Sequence, residues 1–266
     1  MIELALEPLG GAIATDHRPA AGDVPIALYL QNKPERARVV ALLGEAGVAA
    51  PDVTIEALPD TDWVAESQKA LSPIQAGPFY IYGAHVTAPP PAASIPLLID
   101  ANAAFGTGRH ESTRGCLVAL AVLAKERRVQ RALDMGCGSG ILAIAIAKLW
   151  DALVLAVDND AKAIGVAAEN ARINGVSSAI DARHGDGYHC AAVGSDGPYD
   201  LIVENILADA ICAMAPDLAR HLASGGIAIL SGLLAEQADE VLAAHAPLRL
   251  KRQWRLGDWV TLLVEK

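Results

Sequence analysis

The sequence predicts an α/β protein, a doubly wound and mostly parallel sheet with helices on both faces, preceded by a small N-terminal α+β domain. Three observations carry that prediction. From about residue 101 onward, strand-like and helical runs alternate without interruption, and such alternation demands right-handed crossovers and a sheet buried on both sides. The chain then finishes with two strand-like runs around Gly257-Asp258, a hairpin signal that adds antiparallel strands to the parallel set. Finally, 53% hydrophobic residues over 266 positions are ample for a core of this size and exclude disorder for most of the chain.

The elements follow in order. Residues 1–57 read as a small α+β domain with strands over 2–6, 26–30 and 53–57. A helix is expected over 35–46 from the spacing of Val39, Leu42 and Leu43, with Gly47 as its stop. A unit this small is expected to cover or extend another surface. Residues 58–100 are expected to be a linker, opened by Asp60-Thr61-Asp62-Trp63 and rich in proline, including Pro89, Pro90 and Pro91. A short helix over 64–71 and β-like pieces at 79–82 and 96–99 interrupt it. Residues 101–266 form the main domain, with strands over 132–135, 153–157, 180–183, 201–204 and 227–231, and hairpin strands over 248–254 and 259–265. Helices fill the gaps at 140–149, 161–174, 208–223 and 234–244. The near-continuous apolar runs 154–157 and 227–230 suit strands covered on both faces.

Composition narrows the function classes. Lys and Arg total 21 against 31 Asp and Glu, a net charge of −10. Such a surface repels phosphate backbones, so no direct nucleic-acid binding is expected and a basic protein segment is the more natural partner. Cys116, Cys137, Cys190 and Cys212 form no CxxC pair and no zinc spacing, and scattered thiols fit a reducing, cytoplasmic setting. The longest apolar run, 116–124, falls far short of the ~18 residues of a membrane span, so no membrane contact is expected. His17, His85, His184, His189, His221 and His245 show no ligand spacing, and no metal is expected. The basic group Arg249, Lys251, Arg252 and Arg255 on the last hairpin reads as a solvated face. A monomer is expected.

The strongest chemical signal is Ala132-Leu133-Asp134-Met135-Gly136-Cys137-Gly138-Ser139-Gly140, a strand entering a glycine loop and then a helix. Glycines at 136, 138 and 140 let the backbone turn sharply and approach a ligand closely. A dinucleotide fingerprint would place its third glycine at position 141, where Ile141 stands, so the loop suits a pyrophosphate less well. Asp158 ends the next strand, 158 − 134 = 24 residues after Asp134, where a carboxylate can accept both ribose hydroxyl protons. Asp160 competes with it as a helix cap. Asp186, between Gly185 and Gly187, either accepts from an adenine amino group or is a plain turn aspartate. In Glu204-Asn205-Ile206-Leu207, the Asn205 amide offers a donor and an acceptor to the same edge, or caps the following helix. Upstream, Phe105 in AFGTGRHEST either stacks on a base or packs in the core, and the 106–108 loop has the composition to close over a ligand. Thr113 either donates its hydroxyl from the first turn of the next helix or caps that helix.

Together, AFGTGRHEST, LDMGCGSGILAIAIAKL, VDNDAKAI with AAENARINGV, and ENILADAICAMAPDL with GGIAILSGLLAEQADEV resemble the bacterial methyltransferases of large-subunit ribosomal protein eleven. These belong to the seven-stranded, S-adenosylmethionine-dependent class, and the resemblance spans roughly residues 58–266. It implies S-adenosylmethionine as cofactor, with contacts at Thr113, Gly136, Asp158 and Asn205. The residue reading adds Phe105, Asp134, Gly138 and Asp186 to that cofactor set. The resemblance also implies a small N-terminal domain that presents the ribosomal protein, whose lysines and α-amine are methylated. Two departures stand out. The family usually has a further strand–helix pair before the N-terminal unit, and an alanine where Glu204 stands.

No residue stands out as a dedicated base, and His110 is the best candidate. Ile206 and Leu207 offer no aromatic face to a planar acceptor, which favours an aliphatic amine. The alternatives are a lysine methyltransferase of the same group acting on another protein, such as the electron-transfer flavoprotein β subunit, a nicotinamide-dependent oxidoreductase, and a non-catalytic binding module.

Overall fold

The computed structural model describes residues 6, 9, 12–15, 26–30, 32–48, 53–56, 72–100, 108 and 110–266. The chain divides into two compact units, 1–62 and 63–266.

In the first unit, β1 (Ala12–Thr15) pairs antiparallel with β2 (Ile26–Tyr29), and α1 spans Arg36–Glu45. Val39 and Leu43, one turn apart on α1, are buried with Leu6, and Leu28, Val48 and Val53 pack around them. Gly47, at φ +82°, ends the helix, and the Val48 amide donates back to the Leu43 carbonyl at 3.0 Å. The unit departs from expectation in three places. Leu6, the described residue of the expected strand 2–6, is helical, and residues 53–56 join no strand. β1 went unforeseen because four residues after Gly10-Gly11 are too few to show a period of two.

The second unit begins with a three-stranded sheet of β3 (Ile74–Ala76), β4 (Phe79–Tyr82) and β5 (Ile95–Leu98). β3 and β4 are antiparallel, and β4 and β5 parallel. Over residues 72–100 this replaces the expected linker, while 58–71 lie outside the described residues. Phe79, Ile81 and Leu97 are buried in the largest core of the molecule, so 72–100 is packed structure whose prolines fall mostly between strands. The short helix expected over 64–71 lies outside the described residues.

The main sheet contains β6 (Arg131–Met135), β7 (Leu153–Asp158), β8 (Ile180–His184), β9 (Tyr199–Asn205), β10 (Leu222–Leu234), β11 (Arg249–Leu256) and β12 (Trp259–Glu265). Their order is β11-β12-β10-β9-β6-β7-β8. The five strands from β10 to β8 run parallel, and β12 is antiparallel to both its neighbours. The helices are α2 (Glu111–Leu123), α3 (Ile141–Trp150), α4 (Ala161–Ile173), α5 (Ala191–Asp196), α6 (Ala208–His221) and α7 (Ala238–Ala244). Alternate strand residues feed two cores. Ala132, Leu201 and Val203 face one with Leu120 and Ile144, while Leu133, Ile202 and Leu230 face the other with Ile211 and Leu218. This is the seven-stranded, doubly wound sheet that the sequence predicts.

Boundaries shift in two places. α6 stops at His221 because β10 starts at once, and the expected helix 234–244 is a 3₁₀ turn at Ala235–Gln237 leading into α7. The chain winds from β6 outward to β7 and β8, then returns to lay β9 on the other side of β6. A reversal of this kind leaves a crevice beyond the carboxyl ends of the two strands that flank it, here β6 and β9.

Candidate active site

The glycine loop opens that crevice. After Met135 the backbone swings toward β7, and the Gly136 and Cys137 amides both donate to the Val157 carbonyl at 2.8 and 3.1 Å. Gly136 sits at φ +72°, and a Cβ there would come within 2.4 Å of the Ile206 Cγ2. Gly140, at φ +78°, starts α3, and a Cβ there would lie 3.0 Å from that of Ala167 on α4. Both positions need glycine twice over, for the left-handed backbone and for the close neighbour.

The loop is tied to the neighbouring strand tip. The Gly138 amide donates to Asp158 Oδ2 at 2.8 Å, and the Asp160 amide donates to Asp158 Oδ1 at 2.9 Å. A carboxylate has about four lone-pair sites, so two bonds leave Asp158, which is only partly buried, free to accept from hydroxyl groups. Asp160 is the α4 cap, accepting from the Lys162 amide at 2.9 Å. The capping role for which the sequence had the two aspartates compete therefore falls to Asp160.

Across the crevice, Asn205 ends β9. Its Nδ2 donates to Thr113 Oγ1 at 3.2 Å, and Thr113, 1% exposed, lies in the first turn of α2. The Asn205 Oδ1 is buried and has no hydrogen-bond partner among the described residues. Gly108, where the AFGTG stretch ends, lies close to the start of α3, since a Cβ there would be 2.9 Å from Ile141 Cδ1. Phe105 itself lies outside the described residues. Asp186 follows β8 with a side chain 94% exposed, 3.9 Å from His189 Nδ1.

Three residues are placed in ways the sequence did not reveal. Asp134 is buried, and its Oδ2 accepts from the Ala143 amide at 2.9 Å in the first turn of α3. Burial pushes its carboxyl up to about 7, opposed by that amide and reinforced by the charge of Asp158. Glu204 lies on the opposite face of the sheet from Asn205, with no exposure, and Tyr188 donates its hydroxyl to Oε1 at 2.7 Å. Its Oε2 has no partner among the described residues, and burial pushes this carboxyl too up to about 7, opposed by the tyrosine bond. Glu204 therefore neither meets the crevice nor points outward. His110 caps α2: its Nδ1 accepts from the Ser112 amide at 3.3 Å, and its ring stands edge-on to Trp259 at 4.3 Å. The ring thus has a structural role at the start of α2. Among the described residues no cluster of His, Cys, Asp and Glu could hold a metal ion.

The family model described as ribosomal protein L11 methyltransferase (PrmA) matches residues 11–266. The chain belongs to the ribosomal protein L11 methyltransferase family. A family member from Rhizobium rhizogenes, named ribosomal protein L11 methyltransferase, is 43% identical over 257 residues, covering 94% of this chain and 87% of the relative. Another of the same name from Agrobacterium fabrum is 42% identical over 264 residues, covering 96% and 89%. The crystal structure of a ribosomal protein L11 methylase from Lactobacillus delbrueckii subsp. bulgaricus superposes with a TM-score of 0.64 at 29% identity, over 73% of this chain and 98% of that one. Membership of the L11 methyltransferase family disfavours the flavoprotein alternative and the oxidoreductase reading alike.

Proposed function

We propose that the crevice above β6, β7 and β9 is where this L11 methyltransferase holds S-adenosylmethionine and meets an amine of its substrate. The enzyme is an S-adenosylmethionine-dependent methyltransferase of ribosomal protein L11, and lysine and/or α-amino groups of L11 are the acceptors we assign to it. One observation carries the site reading. Asn205, at the point where the sheet reverses its winding, keeps a buried carbonyl oxygen without a partner among the described residues while its amide nitrogen is held by Thr113. An orphaned acceptor in such a place is explained by a donor that arrives with a ligand.

The residues present fit the cofactor. Gly136 and Gly138 keep the loop backbone clear of side chains, Asp158 has lone pairs left for ribose hydroxyls, and exposed Asp186 stands at the same edge for an adenine amino group. Thr113 and Asn205 form the opposite wall. Asp134 holds the first turn of α3 through the Ala143 amide. When bound, S-adenosylmethionine supplies an electrophilic methyl group.

The chain's own task is to present a neutral nitrogen. An unperturbed lysine has a pKa of about 10.4, and a water-poor crevice disfavours its charged form, so the proton is lost to solvent before attack. Asn205 Oδ1 accepts an N–H of the neutral amine, which aims the nitrogen lone pair across the crevice. Alignment of this kind supplies roughly 7–11 kcal/mol of barrier reduction without a dedicated base. The net charge of −10 suits a basic substrate protein. We assign the enzyme to the cytoplasm as a monomer without nucleic-acid contacts; no helix among the described residues is long and apolar enough to cross a membrane.

Incubation of purified L11 with the enzyme and S-adenosylmethionine should raise the intact mass of L11 in steps of one methyl group. An unchanged mass would overturn the assignment.

A further inference from the structure

Asn170 in the last turn of α4 and Asn174, its C-cap, lie four residues apart, and they grip the backbone at the end of β5 and just beyond it. Asn174 Oδ1 accepts from the Leu98 amide at 3.1 Å and its Nδ2 donates to the Leu98 carbonyl at 2.7 Å. Asn170 repeats the pattern one step along, accepting from the Asp100 amide at 3.1 Å and donating to the Asp100 carbonyl at 3.1 Å. The periods match. Four helical residues rise about 6 Å, and two strand residues advance about 6.6 Å, so alternate peptides of the chain meet successive asparagines. Ile99 donates instead to the Tyr82 carbonyl on β4 at 2.9 Å. The carboxamides thus act as the missing strand neighbour along the free edge of β5.

The two positions differ in one respect. Asn170 is fully buried, and its Nδ2 also donates to the Ser139 carbonyl at 2.8 Å, within the glycine loop. Asn174 has no such bond; its Oδ1 receives Lys148 Nζ at 2.9 Å, and that lysine also reaches the Pro96 carbonyl at 2.6 Å. Ser139 lies between Gly138, whose amide is bonded to Asp158, and Gly140, whose left-handed φ starts α3. Fixing the Ser139 carbonyl therefore fixes the plane of the peptide leading into Gly140 and the direction of the loop amides beside Asp158.

We propose that Asn170 is a positioning residue for methyl transfer, one that locks the glycine loop in its cofactor-binding form by joining the Ser139 carbonyl to the Asp100 peptide. It touches neither cofactor nor substrate, and it rests on the assignment of the glycine loop to S-adenosylmethionine. Its neighbour Asn174 provides a control, since it makes the same pair of bonds to the β5 edge, and one more to the Asn170 carbonyl at 2.9 Å, with none to the loop.

The test compares the full-length enzyme with Asn170→Ala and Asn174→Ala, by calorimetric binding of S-adenosylmethionine and by kinetics with the cofactor varied and L11 saturating. Both variants should melt at lower temperature than the parent. Loss of the loop bond should raise the Kd and KM for the cofactor at least about tenfold in Asn170→Ala, with kcat within about twofold, while Asn174→Ala stays within about twofold in both constants. If Asn170→Ala does not fold, Asn170→Ser, with a shorter polar side chain, should show the same split in a smaller degree. Binding unchanged in the Asn170 variants, or weakened equally in both positions, would overturn the proposal. A parent enzyme that takes up no S-adenosylmethionine would be a different result, one that removes the site reading and this inference with it.

Discussion

Three carboxylates lie within two residue steps of each other along adjacent strands, and their surroundings differ completely. The register places Asp134 of β6 level with Ala156 and Val203, Glu204 of β9 level with Met135, and Asp158 of β7 one step beyond Val157. Asp158 emerges at the rim, partly buried and bonded to two backbone amides. Asp134 and Glu204 stay below, on opposite faces, and burial pushes both carboxyls up to about 7. One or two steps of about 3.3 Å along a strand thus separate a partly exposed acid at the rim from two acids enclosed in the interior. Glu204 shows the cost of depth most clearly, with one oxygen held by Tyr188 and the other without a partner among the described residues.

The rim should be the more sensitive of the two regions to changes that affect cofactor binding. Gly136→Ala has the largest expected effect, because the new Cβ meets Ile206 while the backbone holds φ at +72°. Strain and overlap together should weaken S-adenosylmethionine binding on the order of a hundredfold or more, and calorimetry near the parent value would contradict the close approach. Asp158→Ala should weaken binding by ~1–3 kcal/mol, the scale of a charged hydrogen bond. Unchanged affinity would remove Asp158 from the ribose contact.

The interior should respond in stability and in its pH dependence. With its carboxyl at about 7 in the fold against 4.5 ordinarily, Glu204 ionises first in the unfolded chain. Its contribution is fully present below about pH 4.5 and is lost as pH rises through about 7. Glu204→Gln removes that loss, so between pH 4.5 and 8 the variant should gain roughly 1–3 kcal/mol on the parent in chemical denaturation. Parallel stability curves would mean that Glu204 is not the group titrating. The smallest effect belongs to Asp160→Ala, which removes the α4 cap and should cost about 1 kcal/mol of stability. Its affinity for S-adenosylmethionine should stay near the parent value. A large loss of affinity in that variant would mean that the two aspartates have exchanged roles.

Much of this site could be read along the chain. The loop from Gly136 to Gly140 and the strand tip at Asp158 announce themselves through glycine spacing and alternating elements, both short-range signals. The second strand and the helix of the first unit were legible for the same reason, the helix through Val39 and Leu43 on one buried face. The segment 72–100 was misjudged because prolines between strands outweighed Phe79, Ile81 and Leu97, whose burial depends on residues far along the chain. His110 was named as the best candidate base because nothing nearby in sequence points to Trp259, the ring it meets. Asp134 was grouped with the cofactor residues because it adjoins the loop, and adjacency says nothing about which way a side chain turns.

By itself the sequence determined the alternation that builds a parallel sheet, the antiparallel hairpin that completes it, and the backbone freedom of the glycine loop. Each depends on periodicity or φ preferences within a few consecutive residues. Only the tertiary structure decided that Glu204 faces Tyr188, that Asn205 leans on Thr113 92 positions away, and that Asn170 joins Asp100 to Ser139 across 70 and 31 positions. Depth, strand register and helix contact set those pairings, and they exist only once distant segments have packed together.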